Sequence, residues 1–166
     1  PTYLAATSLF VRLLGLSYLA AFASLWVQAD GLIGSRGILP VAPYLDWVRA
    51  QTGTERYWLL PTLCWISGSD SFLHLLCGVG VAASLLLVVG LAPTLAAATS
   101  WIAYLSLVGA GQVFFQFQWD SLLLEAGFLA IFLVSPRRGR FGGGLAAAPI
   151  SLWLLRWLLF RLMFSS

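Results

Sequence analysis

The sequence predicts an all-α fold, a polytopic transmembrane helix bundle of about five spans with one interfacial or re-entrant helix beside them. Three observations carry that expectation. Of the 166 residues 60% are hydrophobic, and the mean hydropathy is +0.91. Only 9% are charged, whereas soluble domains carry about 25%. Residues 71–119 contain no Asp, Glu, Lys or Arg, a stretch long enough for two crossings of a ~30 Å hydrocarbon core.

The charge inventory narrows the function classes. All nine basic residues are Arg, and six acids leave a formal net charge of +3. The Arg side chains are dispersed among apolar runs rather than gathered with interleaved aromatics, which argues against a nucleic acid partner. The partner implied is the lipid bilayer. Residues 1–166 read as a single transmembrane domain, and a start at Pro1 with an apolar run reaching Ser166 reads as a fragment of a longer protein.

The first span is the run Leu4 to Val27, about 36 Å as a helix. It exceeds the ~7–15-residue core of a secretory signal and is expected to stay in the membrane. A polar connection over 28–70 follows, opened by Gly31, Gly34, Gly37 and Pro40, which mark turns. Inside it, Tyr57 to Ile66 carries three aromatics but also Pro61, so it reads as the interfacial or re-entrant helix, its rings at the headgroup level. The second span is expected over Ser71–Val89 and the third over Thr94–Ala110, separated by Gly90-Leu91-Ala92-Pro93. Gly78 with Ala82 and Gly80 with Ser84 are small-residue pairs that permit close helix approach. The fourth span starts at Val113 or Gln118 and ends at Val134, and the fifth opens near Pro149 and runs past Phe164. Between them Arg137, Arg138 and Arg140 make 135–149 a basic loop, cytosolic by the positive-inside rule. The 28–70 connection then faces the lumen or exterior.

Charges within apolar runs are the candidate site. A carboxylate or guanidinium at bilayer depth costs roughly 2.5–3.5 kcal/mol on insertion scales and is expected to meet a polar partner. Five residues qualify: Arg12, Asp120, Glu125, Arg156 and Arg161. From helix rise, Arg12 lies about 12 Å, Glu125 about 13 Å, Arg156 about 10 Å, Arg161 about 17 Å and Asp120 about 21 Å from the cytosolic side. Those depths pair Glu125 with Arg12 or Arg156, and Asp120 with Arg161. Asp120 and Glu125 are ~140° apart around one helix, so they need two neighbours. Structural clamping is one reading and a substrate or proton pathway the other. A closed bundle supports the first, and a wet pocket lined by both acids supports the second.

Metal and catalytic patterns are not legible. Cys64, near the exposed surface, and Cys77, inside the second span, belong to no CxxC or ligand set and read as free thiols. His74 reads as packed or interfacial, and one His with two dispersed Cys cannot fill a zinc site. No nucleophile elbow, phosphate loop or HExxH occurs. No cofactor or metal is expected, and the chain does not read as an enzyme.

Three motifs together resemble the lipase maturation factor family: Gly31-Leu32-Ile33-Gly34-Ser35-Arg36-Gly37-Ile38-Leu39-Pro40, Gln118-Trp119-Asp120-Ser121-Leu122-Leu123-Leu124-Glu125-Ala126-Gly127-Phe128-Leu129, and Leu155-Arg156-Trp157-Leu158-Leu159-Phe160-Arg161-Leu162-Met163. The resemblance implies a multi-pass protein of the endoplasmic reticulum membrane, or of the plasma membrane in a bacterial source. It implies a chaperone-like, non-catalytic role in maturation of secreted lipases. It singles out Gly34, Arg36, Gly37 and Pro40 in a client-facing luminal loop, and the motif aromatics Trp119 and Trp157. A more distant similarity is to the membrane domain of vitamin K-dependent carboxylases. Their lysine base cannot carry over, because this chain has no Lys. A small transporter using Asp120 and Glu125 is the third reading.

Overall fold

The computed structural model describes residues 2–133 and 149–165, and all its regular structure is helical. The elements are α1 (Thr2–Leu32), α2 (Val41–Thr52), α3 (Arg56–Leu59), α4 (Asp70–Val89), α5 (Pro93–Ala110), α6 (Gln118–Leu133) and α7 (Pro149–Ser165). Among the described residues three segments are long and apolar enough to cross a membrane: Ala5–Leu32, Asp70–Val89 and Pro93–Ala110. The molecule is a membrane protein. Helices α6 and α7, with 16 and 17 residues, reach about 24 Å and 26 Å. The basic loop expected over 135–149 lies outside the described residues but for Pro149, the first residue of α7.

Helix α1 runs five residues past the expected end at Val27. The apolar run stops there, but Gln28, Ala29 and Asp30 still form helix, and the backbone closes only when Ile33 and Gly34 N–H donate to the Ala29 carbonyl, both at 2.9 Å. At about 46 Å the helix is longer than the ~30 Å core. The α4–α5 hinge forms where expected. Gly90 takes a left-handed conformation (φ 82°), its N–H meets the Leu86 and Leu87 carbonyls, and Leu91 N–H returns to Leu86 at 2.9 Å. That is a helix stop that Gly adopts without Cβ strain, and Pro93 restarts α5 at its first turn.

Helix α1 packs chiefly on α4, α4 on α5, α5 on α6 and α6 on α7, with α6 also touching α1. The centre is aromatic. Tyr18, Phe22 and Tyr104 are buried, and Tyr104 meets both other rings edge-on at 5.6 Å, a geometry that suits the ring quadrupoles. Close approach at this point requires glycine. A Cβ on Gly80 would lie 2.3 Å from the Phe22 ring, and one on Gly127 would lie 1.9 Å from the Tyr18 hydroxyl. Large apolar side chains such as Leu9, Leu13, Leu75, Leu86 and Phe132 point outward. An aqueous solvent would disfavour such a surface, whereas acyl chains accept it.

The segment between α1 and α4 is more ordered than a polar loop. Its helix α2 buries Val41, Leu45 and Val48, a helical i, i+4, i+7 stripe. The 57–66 stretch is not one helix. It divides into α3 and a 3-10 turn at Leu63–Trp65, because Pro61 lacks the N–H that a continuous helix would need. Thr62 Oγ1 donates to the Ser106 carbonyl at 2.8 Å, and Leu63 N–H donates to Ser106 Oγ at 3.1 Å, which ties this return to α5.

Replacing Gly80 by Ala is expected to cost about 1–3 kcal/mol through overpacking against Phe22, measured by reversible unfolding in mixed micelles. Gly31 has nothing within 4 Å of a Cβ, so Gly31→Ala should leave stability unchanged or raise it by up to about 1 kcal/mol.

Candidate functional site

The five charges expected within the membrane do not form one cluster. Asp120 is buried in the first turn of α6, and its Oδ1 accepts the Tyr104 hydroxyl of α5 at 2.5 Å. Glu125 forms an ion pair with Arg161 of α7. Arg12 and Arg156 are exposed and pair with no acid among the described residues. The acids do use two neighbouring helices, as their ~140° separation requires. The partners expected from depth were nevertheless wrong. Glu125 takes Arg161 rather than Arg12 or Arg156, and Asp120 takes a phenol rather than Arg161. Depth along a helix says nothing of azimuth, and it is the packing of α7 on α6 that brings Arg161 to Glu125.

Other polar groups in the bundle are also spent between helices. Tyr18 donates to the Leu123 carbonyl at 3.0 Å, and Trp101 Nε1 donates to the Leu124 carbonyl at 2.9 Å. Each links α6 to a neighbour and gives a phenol or indole donor the acceptor that lipid cannot supply. Sequence reasoning missed both. Their signal was the Tyr and Trp type, since buried phenol and indole groups take a hydrogen-bond partner.

The glycine motif builds a compact turn over the end of α1. Ile38 N–H donates to the Gly31 carbonyl at 3.0 Å, Leu39 to Leu32 at 2.9 Å and Val41 to Ile33 at 3.0 Å. Gly34 and Gly37 sit so near the α1 backbone that a Cβ would lie 2.8 Å from Asp30 and from Leu32 respectively. Pro40 precedes α2 with φ −61°, and Arg36 is exposed beside the turn. The turn is clamped to α4: Ser35 N–H and Oγ donate to the two Asp70 carboxylate oxygens at 2.7 and 2.6 Å, and His74 Nε2 lies 2.9 Å from Asp30 Oδ1. His74 thus bridges α4 to the end of α1. Among the described residues no three His, Cys, Asp or Glu side chains group to hold a metal.

Cys64 and Cys77 are free thiols. Cys64 is buried rather than near the surface, because the 3-10 turn carrying it folds onto α5. Burial pushes its thiol above the usual range, partly offset by the Thr62 hydroxyl.

A cavity of about 770 Å³ opens between α1 and α6. One wall is the α1 seam of Ser17, Ala21, Ser24 and Gln28, the other is Leu122, Leu123 and Ala126, and Phe114, Phe115, Phe117 and Trp119 crowd one end. Asp120 and Tyr104 line it, whereas Glu125 does not. Trp119 stacks on Phe117 at 5.0 Å, and Trp157 stacks between Trp153 and Phe160 on the outer face of α7.

Comparison with known proteins gives a consistent result. The family described as lipase maturation factor transmembrane domain matches residues 5–166. Lipase maturation factor 2 of Gallus gallus is 45% identical over 95% of this chain and 23% of its own length. The Homo sapiens protein of that name is 42% identical over 95% and 24%. Lipase maturation factor 1 of Mus musculus is 38% identical over 92% and 28%. The chain therefore spans about a quarter of the length of these curated relatives. No solved structure gives a significant match.

Two outcomes check this geometry. Glu125→Gln and Arg161→Gln should each lower the folded fraction in a denaturant titration, and the exchanged pair E125R/R161E should recover most of the loss. A charge left without its counter-ion between packed helices is costly, and the exchange restores neutrality. A maleimide probe at neutral pH should label Cys64 only slowly, with labelling rising as the pH approaches the raised thiol value and rising sharply on unfolding. The attacking species is the thiolate, which burial disfavours.

Proposed function

The chain belongs to the lipase maturation factor family, and on that premise we propose that it is the membrane-embedded part of a non-catalytic folding factor for secreted proteins, with lipases as the clients. The observation that carries the proposal is similarity to named maturation factors over nearly the whole chain. The polar contacts agree with it. Among the described residues they join helices to one another and hold the 33–66 segment as a shaped platform, instead of converging on a nucleophile or metal.

In this reading the 28–70 connection faces the lumen or exterior and presents its surface to the client, and the 135–149 loop faces the cytosol. Trp47, Tyr57, Trp58 and Ile66 are exposed on that connection, the kind of apolar surface that holds an incompletely folded chain or rests at the membrane interface. The membrane is that of the endoplasmic reticulum in a eukaryote and the plasma membrane in a bacterium. Asp120 and Glu125 serve as clamps. A transport reading would have both acids share a route, but only Asp120 lines the cavity.

Deleting the full-length protein from cells that secrete a lipase should reduce secreted lipase activity several-fold without reducing lipase synthesis. Replacing 30–70 by a neutral linker, in a protein that still reaches the membrane, should reproduce the loss and abolish co-purification with the lipase. Unchanged lipase activity in either case would refute the role.

A further inference from the structure

The α1/α6 cavity reaches the Asp120–Tyr104 clamp and leaves one side of that carboxylate unused. At about 770 Å³ it falls within the roughly 300–1,000 Å³ of small-molecule and cofactor sites. Among the described residues its one charged lining side chain is Asp120, only 5% exposed. The Tyr104 hydroxyl satisfies Oδ1, but Oδ2 accepts no hydrogen bond from the described residues, and none of the described Arg pairs with this carboxylate. A buried carboxylate without a counter-charge is costly in this setting. The cavity therefore favours a cation.

The remaining lining says which cation. Phe114, Phe115, Phe117 and Trp119 supply aromatic rings next to the acid, and ring faces attract alkylammonium groups. The wall continues through Leu25, Ala21 and Leu14 of α1, with Ser17 among them, facing Leu123 and Ala126 of α6, a largely apolar strip suited to a hydrocarbon chain. From Ser24 to Leu14 the α1 wall measures about 15 Å, room for the first part of an acyl chain. Ser24 Oγ accepts from Gln28 and keeps its own O–H to give, which a phosphodiester oxygen can take.

From this geometry we infer that the α1/α6 cavity binds a phospholipid with an alkylammonium headgroup, the ammonium held by Asp120 and the aromatic rings, the chain laid between α1 and α6. Phospholipids enter laterally from the bilayer that the outer surface already requires. An anionic headgroup is disfavoured, because no cationic side chain lines the cavity among the described residues.

The test uses the full-length chain, purified in detergent and titrated with phosphatidylcholine, phosphatidylethanolamine and phosphatidylglycerol of identical acyl chains, with binding read by native mass spectrometry. The two ammonium lipids should bind about tenfold or more tightly than phosphatidylglycerol. Asp120→Asn keeps the volume and the Tyr104 acceptor, and should erase that preference. Ala126→Trp fills the cavity from α6 and should weaken all three lipids. Choline chloride should compete with phosphatidylcholine only weakly, since it lacks the chain. Wild-type protein that binds phosphatidylglycerol as tightly as the ammonium lipids would overturn the inference without recourse to any variant, as would a folded Asp120→Asn protein that keeps the preference. Wild-type protein that binds none of the three would also overturn it, and would point to a basic segment of polypeptide as the occupant.

Discussion

Tyr18 stands where α1, α5 and α6 meet, and the rest of the bundle is arranged around what it needs. Its ring packs between Phe22 and Tyr104, its hydroxyl donates to the Leu123 carbonyl, and its tip occupies the space where any side chain at position 127 would begin. Phe22, one turn on, fills the corresponding space at Gly80 of α4. Large rings on α1 are thus received by glycines on two neighbouring helices. Lipid tails are as apolar as Leu, so burial alone gives membrane helices little reason to associate, and close packing must supply the attraction.

The same solvent dictates how polar groups are distributed. In water an unpaired phenol, indole or carboxylate is hydrated, but in hydrocarbon it must be answered by protein. Tyr18, Trp101 and Tyr104 answer to α6, and Glu125 answers to α7. Helix α6 is consequently held by α1, α5 and α7. Outside the core the logic changes to water-exposed pairs. Asp70 holds Ser35 and His74 meets Asp30, so the glycine turn and α2 sit at a defined angle over the bundle end.

Legibility followed physical signal. The α4–α5 hinge was readable because Gly90 and Pro93 act locally, through backbone conformation alone. Helix α2 was hidden, since its polar face and Pro43 make it look like loop, although the stripe Val41, Leu45, Val48 was present. The 57–66 segment misled in the other direction: its aromatics suggested a helix, and Pro61 divided it. The separation of Asp120 and Glu125 onto two neighbours followed from 3.6 residues per turn. Which neighbours, and which groups on them, did not.

Composition and the uncharged run over 71–119 by themselves determined that this chain lives in a membrane as helices, because hydrocarbon penalises charge and bare backbone whatever the fold. The three motifs by themselves determined its family. Only the tertiary structure decided that Arg161 rather than Arg12 neutralises Glu125, that a tyrosine rather than an arginine answers Asp120, and that a cavity remains beside that carboxylate. Those outcomes depend on helix rotation and neighbour order, which arise from side chains far apart in sequence meeting in space.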